Sequence, residues 1–179
     1  MESSFLNNVK EAPVISIVAT KSNAGKTTLI ETLITIFKER GYSVGVLKHD
    51  AHKFEIDKEG KDSYRFTKAG ADKMIISSKE KLAMVETIKE EKTVEDILDM
   101  FGEIDLIIIE GFKNNKYPKI EVHRKDIDSR LLCKDENFDI TTFLAVATDE
   151  ELNLLIPELD INNVSKIADF IEMKIIKEK

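Results

Sequence analysis

One cysteine, Cys133, stands in a chain of 179 residues. It has no partner for an internal disulfide, which points to a reducing cytoplasm, and it reads as a small, semi-buried residue. No Cys/His cluster has the spacing of a zinc site. No apolar run approaches the roughly 20 residues a helix needs to cross a bilayer. The start, Met1-Glu2-Ser3-Ser4, lacks the basic and apolar regions of a secretion signal. Positive charge is in deficit, with 27 Lys and Arg against 34 Asp and Glu and a net charge of −7. That argues against a general nucleic-acid binder while leaving room for a local basic pocket. No repeat, low-complexity tract or linker divides the chain. The expectation is one cytoplasmic domain over residues 1–179, with no membrane or nucleic-acid partner.

Against these absences one run stands out, Thr20-Lys21-Ser22-Asn23-Ala24-Gly25-Lys26-Thr27-Thr28. It follows the apolar run Val14 to Ala19 and opens the amphipathic stretch Leu29 to Phe37. Strand, loop, Gly-Lys-Thr and helix together make a phosphate-binding P-loop. In such a loop backbone N–H groups and the helix N-terminus converge on an anion. Ser22 to Thr28 would cradle the phosphates, Lys26 would reach the β- and γ-phosphates, and the Thr27 hydroxyl would sit on Mg²⁺. The first glycine of the G-x-x-x-x-G-K-T pattern is replaced by Thr20, at a place where glycine ordinarily permits a tight turn.

The apolar runs Val14 to Ala19, Val44 to Leu47, Ile104 to Ile109 and Phe143 to Ala147 predict buried strands of a mostly parallel sheet. Helical spacing connects Leu29, Ile30, Leu33, Ile34 and Phe37, with Gly41 as the stop. It recurs in Val94, Ile97, Leu98 and Phe101 behind a Thr93/Asp96 capping box, and in Val164, Ile167, Ala168, Ile171 and Ile175 behind Asn162 or Asn163. A helix is expected over Gly60 to Ala69, a hairpin from Lys73 to Ser77 and Leu82 to Ile88, and a strand over Lys119 to His123. The fold class is α/β, a P-loop NTPase-like three-layer fold with a mostly parallel sheet and a β-hairpin extension.

Ligands of open α/β sheets bind beyond the carboxyl ends of the strands. The predicted strands end in the phosphate loop, in Lys48-His49-Asp50-Ala51-His52, in Glu110-Gly111-Phe112 and in Thr148-Asp149-Glu150. Glu110 suits the acid beside Mg²⁺ or the attacking water, as against a solvated residue closing a strand. Asp50 is either a turn residue or a water-mediated Mg²⁺ ligand. His49 and His52 shape a phosphate or substrate pocket, or serve structure alone. Asp57, Lys61, Asp62 and Ser63 read as a charged helix start or as chemistry. Asp149 can accept from a guanine edge or cap the next segment; the usual guanine-reading N-K-x-D is absent.

In this order the motifs resemble the molybdopterin-guanine dinucleotide biosynthesis protein B (MobB) family. The resemblance runs from Pro13 to Asp149. It is carried by Lys21 to Thr28, by K-H-x-x-H from Lys48 to His52, by I-D-x-x-G-K-D-S from Ile56 to Ser63, and by E-G-F-K from Glu110 to Lys113. It implies a GTP-binding accessory protein in molybdenum cofactor biosynthesis and a homodimer. It further implies a partner nucleotidyltransferase, the molybdenum cofactor guanylyltransferase, with molybdopterin as a further candidate ligand. Lys21, five residues before Lys26, matches the second lysine of dimerising P-loop proteins, which reaches the neighbouring subunit's phosphates; it also reads as a solvated loop lysine. Two rivals share the P-loop. A metal-insertion chaperone GTPase would bring a Cys/His delivery motif, and a small-molecule kinase would bring an arginine-rich lid. The first is missing, and Arg40, Arg65, Arg124 and Arg130 are scattered. A slow GTPase acting mainly as an adapter is the reading these residues favour.

Overall fold

Apolar runs become strands, and runs of 3.6-residue period become helices, in the computed structural model, which describes residues 12–49 and 54–178. In chain order the first elements are β1 (Val14–Val18), α1 (Lys26–Glu39), β2 (Val44–Lys48) and α2 (Asp62–Lys68). Then come β3 (Lys73–Ser77), β4 (Leu82–Glu86), α3 (Val94–Leu98) and β5 (Leu106–Glu110). The chain closes with β6 (Lys119–Val122), β7 (Phe143–Thr148), β8 (Glu158–Asp160) and α4 (Val164–Ile171). Contacts divide it between His49 and Asp50 and between Ile97 and Leu98 into two compact units.

The larger unit is built on a six-stranded sheet of order β2-β5-β1-β6-β7-β8, with every neighbouring pair parallel. The crossovers a parallel sheet requires cover its faces, which is why its strands read as continuous apolar runs. On one face α1 contributes Leu29, Ile30, Leu33 and Phe37, and α4 contributes Ile167, Ala168 and Ile171. They pack on Ile15, Ile17, Leu106, Ile108, Ile120 and Val122. Each such fully buried side chain contributes about 1.5–3 kcal/mol. Gly41, at φ 86, closes α1. Its N–H donates to the Lys38 carbonyl and that of Tyr42 to the Phe37 carbonyl, both at 3.0 Å, the paired bonds of a Schellman stop.

Beneath β1, β6 and β7 the opposite face is covered by irregular chain. Leu131, Leu132 and Cys133 surround Val18, Phe143 and Val146, flanked by Phe138, Leu152, Leu154 and Ile156. Two charged residues of β6 are buried on this face, since Lys119 pairs with Ser16 and Glu121 with Val18. Glu121 accepts from the N–H groups of Leu132 at 2.7 Å and Cys133 at 3.0 Å, and burial pushes its carboxyl above the usual range. Lys119 donates to the carbonyls of Asn115 and Tyr117 and to the Thr142 hydroxyl; burial pushes its ammonium below the usual range. Buried charges persist when their bonding is met. Burial, with Glu121 beside it, pushes the Cys133 thiol up to about 12.

In the smaller unit β3 and β4 pair antiparallel, from Lys73 opposite Glu86 to Ser77 opposite Leu82, as the sequence predicts, and α2 packs on β3. The Thr93/Asp96 capping box forms before α3, the Thr93 N–H and hydroxyl donating to Asp96 and the Asp96 N–H to the Thr93 hydroxyl. In the larger unit Asn163 caps α4 by accepting from the Lys166 N–H. Beyond Ile171 the helix continues as a π-turn over Glu172–Lys177, so the apolar spacing persists to a buried Ile175. The edge strand β8 is too short to carry a period.

Candidate functional site

The phosphate loop runs from the end of β1 to the first turn of α1. Its left-handed residues are Asn23 at φ 65 and Gly25 at φ 98, and Thr20 is not among the positive-φ residues. The loop therefore has no need of glycine at position 20. Thr20 instead ties the loop down, its carbonyl accepting from Lys113 Nζ at 3.0 Å. Gly25 is the N-cap of α1, with no side-chain cap and no acidic residue in the first turn. The first N–H groups of α1 are thus left without a side-chain acceptor, at the positive end of the helix dipole.

Ser22, Asn23, Gly25, Lys26, Thr27 and Thr28 line a cavity of about 430 Å³ together with Lys48 and Glu110. Parallel pairing of β1, β5 and β2 brings the last two there, since Ile17 stands opposite Glu110 and Lys48 opposite Glu110. The Thr27 hydroxyl donates to Glu110 Oε1 at 3.3 Å, and Lys48 Nζ lies 3.4 Å from Glu110 Oε2. Lys26 Nζ donates to the Lys21 carbonyl at 3.4 Å. Burial pushes the Lys26 ammonium below its usual value; Glu110 opposes this, while Lys113 and Lys48 add to it. Lys26 and Lys48 share one carboxylate, with Lys113 adding to the positive charge at Lys26, which favours a polyanion whose charge would relieve their repulsion.

The other predicted residues fall around this cavity. Lys21 is half-exposed, its Nζ donating to the Ile127 carbonyl at 3.4 Å and standing 3.9 Å from Asp128. His49 stacks on Phe112, ring centroids 3.9 Å apart, and does not line the cavity. Asp149 accepts from the Lys125 N–H at 3.0 Å and from Arg124 Nη1 at 3.2 Å. These two bonds, the backbone one foremost, hold its carboxyl below the usual range. Asp50, Ala51 and His52 lie outside the described residues. Lys48 and Arg124 belong to the surroundings of the loop although neither stands out as a site residue in the sequence. Lys48 had a signal, its place at a predicted strand end; Arg124 had none.

A family model described as molybdopterin guanine dinucleotide synthesis protein B matches residues 14–149. The chain belongs to this family. It is 38% identical over 170 residues to the molybdopterin-guanine dinucleotide biosynthesis adapter protein of Haemophilus influenzae, covering 94% of this chain and 91% of that one. It is 40% identical over 154 residues to the adapter protein of Escherichia coli, covering 84% and 86%. Among solved structures it resembles molybdopterin-guanine biosynthesis protein B, with TM-score 0.69, 32% identity and coverage of 89% and 98%. It also resembles Bacillus subtilis MobB, with TM-score 0.70, 26% identity and coverage of 91% and 98%. The α/β fold expected from the sequence, with its parallel sheet, is thus the P-loop fold of MobB structures.

Among the described residues no group of three or more His, Cys, Asp or Glu could hold a metal by itself. Mg²⁺ asks less of a protein, taking one or two protein oxygens and completing its shell with phosphate and water. The hard oxygens of Thr27 and Glu110, 3.3 Å apart, fit that requirement.

Proposed function

We propose that this protein binds GTP with Mg²⁺ and acts as an adapter and slow GTPase in the synthesis of molybdopterin guanine dinucleotide. It would work in the cytoplasm with a guanylyltransferase that performs the transfer, and near molybdopterin itself. The observation that carries the reading is the cavity in which Lys26, Thr27, Lys48 and Glu110 meet the uncapped start of α1. The backbone of Ser22 to Thr28 would cradle the phosphates, with Lys26 on the β- and γ-phosphates. Thr27 and Glu110 would hold Mg²⁺, which when bound neutralises charge on the phosphates. Asp149, held ionised by Lys125 and Arg124, would accept from the guanine edge through its remaining lone pairs. His49 would shape the loop after β5 through its stack on Phe112. The half-exposed Lys21 would act on the phosphates of a second subunit in a homodimer.

Titration with a fluorescent GTP analogue tests the core of this. Lys26→Ala removes a charge-assisted contact worth roughly 1.5–3 kcal/mol, so affinity should fall at least about tenfold. Equal affinity in wild type and variant would remove the phosphate loop from the binding site.

A further inference from the structure

The proposed ligand has two ends, and the strand order separates the surroundings of β1 into two sides. On one side β5 and β2 bring Glu110 and Lys48 to Thr27 and Lys26. These are the groups for terminal phosphates and a metal, so the nucleoside has to leave toward the other side. There Arg124 follows β6 and Asp149 follows β7. The strands β5 and β6 flank β1, about 10 Å apart across two strand spacings.

Arg124 sits directly against the loop. A Cβ placed on Gly25 would lie 3.5 Å from its Nε and 3.9 Å from its Nη2. On its other edge, Nη1 donates to Asp149 Oδ2 at 3.2 Å. The Nε and Nη2 side of the guanidinium thus lies beside the backbone at Gly25, and its Nη1 is tied to a carboxylate that offsets its charge. The side chain stays about a third exposed. A guanidinium so held is a poor free cation for a phosphate and a good surface for a ring, because it stacks on aromatic systems through its planar, weakly hydrated face.

We propose that Arg124 is the base platform of the nucleotide site, its guanidinium face stacked on the purine and its plane fixed by Asp149. This deepens the nucleotide reading above and rests on it. Arg124 touches the ligand; Asp149 serves it as a positioning residue, whatever else it contacts. The platform explains why a residue following β6 is anchored to one following β7: the tie sets the tilt of the surface on which the ring lies.

The test compares GTP with inorganic tripolyphosphate, which has the phosphates and no base, on wild type, Arg124→Ala and Arg124→Lys. Loss of stacking should weaken GTP binding about tenfold in both variants and leave tripolyphosphate binding unchanged, which also shows that the loop is intact. Lysine keeps the charge and lacks the plane, so full GTP affinity in Arg124→Lys would overturn the platform. So would equal losses for GTP and tripolyphosphate, which would make Arg124 a phosphate ligand, and so would unaltered GTP binding in Arg124→Ala. A wild-type protein that binds neither compound would sink the nucleotide reading along with it, a result distinct from each of the others.

Discussion

Glu110 is the carboxylate at the centre of the proposed site: one of its oxygens takes the Thr27 hydroxyl and the other faces Lys48. Phosphoryl transfer is catalysed chiefly by positioning and charge stabilisation, so a carboxylate there matters more for turnover than for capture. Glu110→Gln keeps the shape and removes the charge. It should cut Mg²⁺-dependent GTP hydrolysis while sparing most of the binding, read by single-turnover hydrolysis and titration side by side. Hydrolysis at the wild-type rate would leave Glu110 as a strand-end residue. Single residues were unevenly legible in the sequence. Lys26 and Thr27 could be read because they lie in one contiguous motif and the apolar run before them marks a strand. Arg124 could not, because its contact with Gly25 depends on β6 lying beside β1, and no local pattern encodes that neighbour. Asp128 was equally silent: it stands 3.9 Å from the Lys21 ammonium, a group far from it in the chain.

Elements were legible where they carry a period or a cap. The strands of the parallel sheet other than β8, α1 with its glycine stop, the capping box before α3 and the hairpin all follow from local pattern. The cover over β6 and β7 does not. Its 3-10 turns at Leu132–Lys134 and Ile140–Thr142 have no period, and β6 alternates charge and apolarity as a half-exposed strand would. Its charged face is buried because that irregular chain brings its own N–H groups to Glu121. The hairpin poses the opposite question, an apolar surface left open. Ile75 and Met84 stand opposite each other with Leu82 on the same face, and all three are exposed. A two-stranded ribbon is marginal without a covered face, and a second copy of this chain would supply the cover in the proposed homodimer. Ile75→Glu should then convert the dimer to a monomer of 20.4 kDa in sedimentation equilibrium. A dimer that persists at the wild-type concentration dependence would move the interface away from the hairpin.

At the scale of the larger unit, α1 and the C-terminal segment are locked through Glu172. Arg40 reaches Glu172 at 2.5 Å, Lys177 at 2.6 Å and the Tyr42 hydroxyl at 3.1 Å. Lys177 first, then Arg40 and Tyr42, hold the Glu172 carboxyl down to about 2 against an ordinary 4.5. The folded value lies below the unfolded one, so this contribution is present above the unfolded value and is lost as pH falls from 4.5 toward 2. Glu172→Gln should lower urea stability at pH 7, and the gap to wild type should narrow at pH 3 as other groups cancel in the difference. A gap that stays constant would remove the network from the acid response. The sheet order has a consequence in time as well. The central strand β1 is made first, yet both strands that flank it, β5 and β6, come from the second half of the chain. A nascent polypeptide that ends before Leu106 carries Thr27 without Glu110 and Gly25 without Arg124. Nucleotide capture by the proposed site would therefore wait for synthesis to pass the last of these partners. A prematurely terminated product is then not a weak binder but a bare apolar strand with two open edges, the kind of species that chaperones and proteases clear.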